Sequence, residues 1–255
     1  MGENPLSRPP RVLVPDLATQ RGPSEENEIL LRKEEREHVR SRRLREGDEV
    51  VAIDGKGARA RAVLARGGAA ITLSPSKKIF SSSSSSSPLS LPGEPSNRVV
   101  VALACAEPAR IEWAVEKGTE CGAAGFVLLD AERSQRAHVA ALSNRIPRLM
   151  RIAEEATKQC DRTIVPFVEG PKSTEEFLRR GRGEGALIVA DPEGAPIASV
   201  APGATTLAIG PEGGFAPAEI LLFKENHSLF VSLGSRILRL ETAVVVALAR
   251  LVDPA

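Results

Sequence analysis

A glycine-rich turn follows an apolar stretch in the last third of the chain. The segment 206–220, TLAIGPEGGFAPAEI, predicts a buried strand, a Gly-Pro-Glu-Gly-Gly turn and a helix with Pro217 near its start. Glycines let a backbone approach a ligand closely, where a Cβ would collide. The turn lacks the GK[ST] of a P-loop, and no GxGxxG follows a strand. We interpret it as a ligand-binding loop, with an ordinary strand-to-helix turn as the alternative.

A second segment, 229–251, combines a strand, an arginine-rich turn and an apolar helix (LFVSLGSRILRLETAVVVALARL). The strand is expected to end at Gly234. A helix that is apolar on all sides must be buried on all sides. Because chain ends usually fray, this pattern predicts docking deep in the fold or against a second subunit.

Two polar surfaces could bind nucleic acid. Between Arg36 and Lys78 there are eleven Lys or Arg against five Asp or Glu, a pattern typical of phosphate binding. In a predicted helix over 145–160, polar residues spaced three and four apart share one face and indicate an RNA-binding or interface surface. The face comprises Arg148, Ile152, Glu155, Gln159 and Arg162. A solvated charged surface is the alternative in both cases. Only 3% of residues are aromatic, which disfavours base stacking on aromatic platforms.

The elements divide the chain into two domains and a linker. Short strands over 11–14, 49–54, 58–64 and 70–73, with a polar helix over 34–45, predict a small β domain in 1–75. Residues 76–96 are Ser- and Pro-rich and include seven consecutive serines, so we expect a disordered linker. From 97 to 255, strands alternate with helices, which predicts a mostly parallel sheet covered on both faces. The strands are expected at 99–104, 126–130, 164–168, 186–190, 206–210 and 229–233, and the helices at 110–120, 145–160, 174–180, 217–225 and 242–251.

Composition excludes several classes of protein. No apolar run reaches the roughly 18 residues of a membrane span, and the first residues lack the apolar core of a secretory signal. Cys105, Cys121 and Cys160 are far apart with no CxxC pair, which is typical of free thiols in a reducing compartment. The three histidines are equally scattered, so we expect no metal site. We expect a cytoplasmic protein, or one of an organellar matrix or stroma if the source is eukaryotic.

Several motifs in order along the chain carry a family resemblance. IGPEGGF, LGSRILRLETA, EEATKQCDRTIVP, KGTECG, ERS and REGDEVVAIDGKG closely resemble the RsmE family of SPOUT methyltransferases. That family methylates N3 of a uridine in small-subunit ribosomal RNA. The resemblance covers nearly the whole chain except the serine tract.

The resemblance implies a fold, a cofactor and partners. The fold would be α/β: a SPOUT-type trefoil-knotted domain preceded by a small PUA-like β-barrel domain that binds RNA. The cofactor would be S-adenosyl-L-methionine, and the partners would be small-subunit ribosomal RNA and a second copy of the chain that completes each active site. The implied cofactor-binding residues are Ala190, Asp191, Gly210, Pro211, Glu212, Gly213, Gly214, Leu233, Gly234, Ile237 and Leu238. The candidate RNA-binding residues are Arg40, Arg42, Arg43, Arg148, Gln159 and Arg162.

Catalysis at uracil N3 requires loss of a weakly acidic proton or stabilisation of the developing anion. No histidine lies near the motifs. Arg239 could stabilise a uracilate, and Glu241 could orient Arg239 or accept a proton; an Arg–Glu pair that only holds the fold is the alternative. Two other functions stay open: a non-catalytic SPOUT-fold RNA-binding or ribosome assembly factor, and a SPOUT ribose 2′-O-methyltransferase. One departure from the family pattern is Ala216, which replaces a serine cap at a cost of about 1 kcal/mol.

Overall fold

The computed structural model describes residues 9–15, 17, 28–74, 93–179, 185–201 and 203–252, and these form two compact units. The first unit contains the described residues up to Glu94 together with Thr157–Val165. The second contains Pro95–Ala156 and the described residues from Pro166 onward. The serine tract at 81–87 lies outside the described residues.

The first unit is built on a five-stranded mixed sheet. Its elements are β1 (Arg11–Leu13), β2 (Glu28–Leu30), α1 (Lys33–Ser41), β3 (Glu49–Ile53), β4 (Arg59–Ala65) and β5 (Ala70–Leu73). The strand order is β1-β3-β4-β5-β2, with β1 parallel to β3 and all other neighbours antiparallel. Alternate residues of β4 are buried, as its small, apolar and arginine pattern predicts. The predicted small β domain is confirmed.

Two details of this unit differ from the sequence prediction. Helix α1 ends at Ser41 rather than Arg45, because Arg43 adopts a left-handed backbone conformation (φ 58°) that cannot continue a helix. Strand β2 was not predicted, because its three residues EIL are too few to show an alternating pattern.

Ion pairs join the segment Thr157–Val165 to the rest of the first unit. The Lys158 ammonium donates to Glu35 at 2.8 Å, and both side chains are almost fully buried. The second oxygen of Glu35 accepts the backbone N–H of Leu13 at 3.0 Å. Arg11 pairs with Asp161 in the same unit. The segment therefore belongs to this unit, whereas the sequence division places it inside a continuous domain over 97–255.

The same segment corrects the expectation that Arg162 binds RNA. Arg162 is 3% exposed, and its guanidinium donates twice to Glu94, at 3.1 and 3.0 Å. The predicted helical face does not extend this far, because the helix ends at Gln159 and Asp161 has a positive φ of 73°. Arg162 is a buried structural residue.

The second unit contains a six-stranded sheet. Its elements are β6 (Val99–Ala104), α2 (Pro108–Glu120), β7 (Gly125–Asp130), α3 (Arg136–Ser143), α4 (Ile146–Gln159, whose last residues belong to the first unit), β8 (Phe167–Ser173), α5 (Thr174–Arg179), β9 (Ala186–Pro196), β10 (Thr205–Ile209), α6 (Pro217–Glu225), β11 (Leu229–Ser232) and α7 (Leu240–Leu251). The strand order is β11-β9-β10-β6-β7-β8, and every neighbouring pair is parallel. The predicted parallel sheet is confirmed.

The pattern of apolar residues explains this sheet. Every residue of β6 and β10 is buried, as expected of central parallel strands covered on both faces.

The prediction of a strand over 164–168 was wrong in its first residues. Pro166 lacks a backbone N–H, so β8 begins only at Phe167. Ile164 instead forms a β-bridge with Gly55 in the first unit. Helix α3 was not predicted, and it buries only Leu142.

Helices α2 and α7 pack closely. Gly118 makes this possible, since a Cβ there would lie 2.8 Å from the Phe126 ring and 3.2 Å from Val244. Val244, Ala247, Leu248 and Leu251 are buried, so most of the apolar surface of α7 is covered within the chain. Among the described residues, no helix has the length and hydropathy needed to cross a membrane.

Candidate active site

Three segments meet at one edge of the parallel sheet. Residues 190–192 lie inside β9, just past the part that pairs with β10, and the other two segments are the loops after β10 and β11, the neighbours of β9. The crevice outside the carboxyl ends of parallel strands is the usual ligand site of α/β sheets. Together they line one cavity of about 620 Å³. The structure brings all eleven expected cofactor residues to this cavity: Ala190, Asp191, Gly210, Pro211, Glu212, Gly213, Gly214, Leu233, Gly234, Ile237 and Leu238.

The glycine loop after β10 is held in a tight turn. Gly214 has a φ of +70° and donates its N–H to the Pro211 carbonyl at 2.8 Å. Arg133 donates to the Gly213 carbonyl at 2.6 Å. The loop is therefore fixed by its own turn and by a side chain from the segment after β7.

Arg110 of α2 joins the glycine loop to the start of α7. Its guanidinium pairs with Glu212 of the loop and donates through Nε to Glu241 at 2.9 Å. Burial would lower the pKa of Arg110, but its hydrogen bonds to the two carboxylates and their charges raise that pKa above its usual value. Arg110 stays charged and fixes the relative position of two segments that border the cavity.

The N-terminus of α6 is organised by Glu219. This buried carboxylate accepts the Ala216 N–H at 2.9 Å, the Thr174 hydroxyl at 2.6 Å and the Glu132 N–H at 3.2 Å. Ala216 cannot supply the side-chain cap expected of a serine. The carboxylate at the third helical position satisfies the backbone N–H of Ala216 and places negative charge in the first helical turn.

The loop after β11 is open and partly apolar. Gly234 has a φ of +130°, and nothing lies within 4 Å of the position that a Cβ would take. Ile237 is 93% exposed and Leu238 is half-buried at the border of the cavity. An apolar ligand surface that covered Ile237 would remove it from water.

Arg239 and Glu241 do not form the expected pair. Arg239 is exposed, stands at the N-cap of α7 and lines the cavity. Glu241 is turned to Arg110 instead. One oxygen of the Glu241 carboxylate accepts from a cation 131 residues away in sequence, and the catalytic roles of Arg239 and Glu241 stay predictions.

The candidate RNA residues differ in exposure and partners. Arg40, Arg42 and Arg43 are exposed on the first unit, and Gln159 is exposed at the end of α4. Arg148 is exposed but donates to both oxygens of Glu112, at 2.6 and 2.8 Å. These hydrogen bonds hold the pKa of Glu112 below its usual value.

Cys105 and the arrangement of possible metal ligands can be described from the structure. Cys105 is buried just after β6, and burial, helped by the charge of Asp130, raises the pKa of its thiol to about 12. It therefore stays protonated and a poor nucleophile. In the part of the chain that the structure describes, no three His, Cys, Asp or Glu side chains are grouped to hold a metal ion.

Comparison with known proteins places this geometry in a family. The RNA methyltransferase domain family matches residues 93–252, and the RNA methyltransferase PUA domain matches residues 31–72. A Mycobacterium tuberculosis protein named ribosomal RNA small subunit methyltransferase E is 32% identical over 216 residues, covering 81% of this chain and 79% of that protein. The chain belongs to the ribosomal RNA small subunit methyltransferase E family.

One further relative and two solved structures are similar to this chain in sequence or in fold. The Bacillus subtilis methyltransferase E is 32% identical over 164 residues, and the match spans a little under two thirds of that protein, 64%. A Legionella pneumophila methyltransferase structure with bound SAM has a TM-score of 0.76 at 26% identity, covering 95% of this chain and 96% of that one. The Neisseria gonorrhoeae methyltransferase E structure, at 22% identity and a TM-score of 0.78, shows the same fold over 95% of this chain and 96% of that one. The predicted SPOUT-type α/β fold with a PUA-like domain is confirmed, and the trefoil knot stays a prediction.

Proposed function

We propose that this methyltransferase E family member transfers a methyl group from S-adenosyl-L-methionine to N3 of a uridine in small-subunit ribosomal RNA. The observation that carries the proposal is the meeting of three segments, one inside β9 and two after β10 and β11, around one cavity of about 620 Å³. That volume suits a small-molecule cofactor, and the lining combines apolar side chains with the charged side chains of Asp191, Glu212, Arg236 and Arg239. The free thiols of Cys105, Cys121 and Cys160 fit a reducing compartment such as the cytoplasm.

The residues of the cavity fit S-adenosyl-L-methionine. Ile209, Leu233 and Leu238 offer apolar contacts for a purine, and the glycine loop offers backbone N–H and C=O groups for polar contacts. When bound, the cofactor supplies an electrophilic methyl group on a positively charged sulfur. The chain itself must hold the acceptor and stabilise the negative charge that develops on the uracil.

Arg239 is the candidate for that stabilisation. It borders the cavity, it is exposed, and its guanidinium carries five N–H donors and a permanent charge. A cation placed where charge develops stabilises the transition state more than the ground state. Glu241 would be a positioning residue. It accepts a hydrogen bond from Arg110, and Arg110 in turn pairs with Glu212 of the glycine loop.

The function is tested by incubating the purified chain with small-subunit RNA and labelled S-adenosyl-L-methionine and mapping the product by mass spectrometry. We expect N3-methyluridine. Arg239→Ala should lower kcat by about 100-fold or more while the Kd for the cofactor changes little. Cofactor binding without any methyl transfer would point to an assembly factor, and a product methylated on the ribose would overturn base methylation.

The exposed arginines of the first unit should bind RNA through charge. Reversing Arg40, Arg42 and Arg43 to glutamate should weaken RNA binding and flatten its salt dependence, because fewer phosphates are neutralised. The Kd for the cofactor should stay unchanged. Binding isotherms at several salt concentrations measure both effects, and an equal fall in cofactor affinity would show that these arginines support the fold instead.

We also propose that the enzyme is a homodimer that pairs through α2 and α7, with each active site completed by the partner. Trp113 on α2 is 43% exposed, and Val245 and Val246 on α7 are only partly buried within the chain. Pairing across a two-fold axis would remove this apolar surface from water in both copies.

Val245→Asp should produce a monomer or an insoluble chain and abolish methyl transfer, since a charge would be forced into the apolar interface. The matched control is Ala137→Asp, which adds the same charge at an exposed position of α3 and should leave the mass in light scattering unchanged. A wild-type monomer with full activity would contradict the dimer.

A further inference from the structure

A second, open groove adjoins the cofactor cavity along α6. It has a volume of about 570 Å³. Its lining is Arg133, Phe215, Pro217, Ile220, Leu221 and Lys224. Phe215 and Ile220 also line the cofactor cavity, so the two depressions are neighbours within the second unit. A ligand in this groove would lie next to whatever occupies the cofactor cavity.

The floor of the groove is apolar and rests on two aromatic rings that pack against each other. The Phe215 ring packs edge-on against Phe223, with centroids 4.8 Å apart, and both rings are buried. Leu221 of α6 is 56% exposed, whereas Phe223 of the same helix is fully buried. One exposed leucine needs no explanation, but here it stands beside Pro217 in a concave surface that borders the active site.

Two cations stand at the groove without carboxylate partners in the part of the chain that the structure describes. Arg133 donates once, to the Gly213 carbonyl at 2.6 Å, which leaves most of its N–H donors available. The Lys224 ammonium lies 5.9 Å from the centroid of the Phe230 ring. Both side chains are exposed, so a bound anion could reach them.

We propose that this groove binds a nucleotide that flanks the target uridine in single-stranded RNA, with its phosphate on Arg133 and Lys224 and its base or ribose against Leu221 and Pro217. The proposal rests on the proposed function, because it assumes that the target base enters the adjoining cavity. A polynucleotide carries a phosphate at every nucleotide, which matches two exposed cations with no carboxylate partner among the described residues, beside an apolar floor. Bases splayed out of single-stranded RNA present apolar faces that such a floor can cover.

The position of Arg133 gives the groove a second property. The same guanidinium that would meet the phosphate also holds the carbonyl of Gly213 in the cofactor loop. RNA binding in the groove should therefore affect the hydrogen bond by which Arg133 holds the cofactor loop. For the same reason Arg133 is a poor residue for a clean test, whereas the side chains of Lys224 and Leu221 make no hydrogen bond or ion pair with that loop among the described residues.

The test uses the full-length wild-type chain and the variants Lys224→Ala and Leu221→Ser. The probe is a short single-stranded oligoribonucleotide that contains uridine, labelled for binding and, in a second form, carrying 4-thiouridine for photocrosslinking. We expect each variant to weaken RNA binding by about threefold or more and Lys224→Ala to reduce the salt slope by about one ion. The Kd for S-adenosyl-L-methionine should stay unchanged, and the wild-type crosslink should map to the α6 peptide.

Arg179→Ala is the matched control. It removes one positive charge from an exposed position of α5 in the same unit, where Arg179 pairs with Glu175 at 3.4 Å. RNA affinity in this control should match the wild type. If the Lys224 and Leu221 variants also bind RNA like the wild type, and the crosslink lies elsewhere, the groove is not an RNA site even if methyl transfer is intact. If the variants lose RNA affinity but the wild type transfers no methyl group, the proposed function fails and the groove stands.

Discussion

The substitution Gly234→Val should weaken the binding of S-adenosyl-L-methionine by more than about tenfold. This corresponds to a loss of more than roughly 1.4 kcal/mol of binding free energy. Gly234 has a φ of +130°, a region that residues with a Cβ rarely adopt and β-branched residues adopt least. A Cβ there would meet no protein atom, so the cost is backbone strain and intrusion into ligand space rather than a clash within the chain. The loop should move, and with it the apolar contacts of Leu233 and Leu238.

Titration calorimetry of Gly234→Val measures this effect directly. Gly203→Val is the matched control, because Gly203 also has a positive φ (+148°) with open space around its Cβ position but does not line the cavity. The control should lose stability without losing cofactor affinity in its folded state. An unchanged Kd in Gly234→Val would remove the loop after β11 from the cofactor site.

The second large effect concerns the buried pair of Lys158 and Glu35, whose side chains are 2% and 5% exposed. Lys158→Met should lower the free energy of unfolding by about 3–5 kcal/mol, because the Glu35 carboxylate would stay buried without its cation. Adding Glu35→Gln should recover much of the loss, since the amide oxygen can still accept the Leu13 N–H and no buried charge remains.

Urea unfolding monitored by circular dichroism provides the measurement. The matched control is Arg148→Met on the same helix, where the cation is exposed and its partner Glu112 is less deeply buried. It should change stability far less, because exposed ion pairs contribute little. An equally small change in Lys158→Met would mean that water reaches the Glu35 carboxylate.

The fold was largely predictable because most of its strands show a local pattern of apolar and polar residues. Continuous apolar runs such as VVVALA form the parallel sheet, and the alternation in RARAVLA forms β4. The glycine loop after β10 was also predictable, because several glycines between a strand and a helix are typical of a backbone that comes close to a ligand. The loop after β11 was assigned to the site through the family resemblance. Short elements such as β2 carry too few residues for a pattern.

The contacts between distant segments were not predictable. Arg110 meets Glu212 and Glu241, which lie 102 and 131 residues away, and no local spacing could indicate such a network. Arg162 was assigned to a helical face because a regular spacing does not reveal where a helix ends. Lys158 and Glu35 are 123 residues apart, so their burial together depends on tertiary structure alone.

The return of Thr157–Val165 to the first unit limits how this protein can be dissected. A fragment that stopped at Glu94 would contain every strand of the small sheet, yet Glu35, Glu94 and Arg11 would each lose the partner that the segment supplies. A fragment that began at Pro95 would carry Lys158 and Arg162 without Glu35 and Glu94, the carboxylates that pair with them in the whole chain. Gene fragments cut between Glu94 and Pro95 should therefore express poorly on either side, and the two halves should be recovered together when they are produced in the same cell.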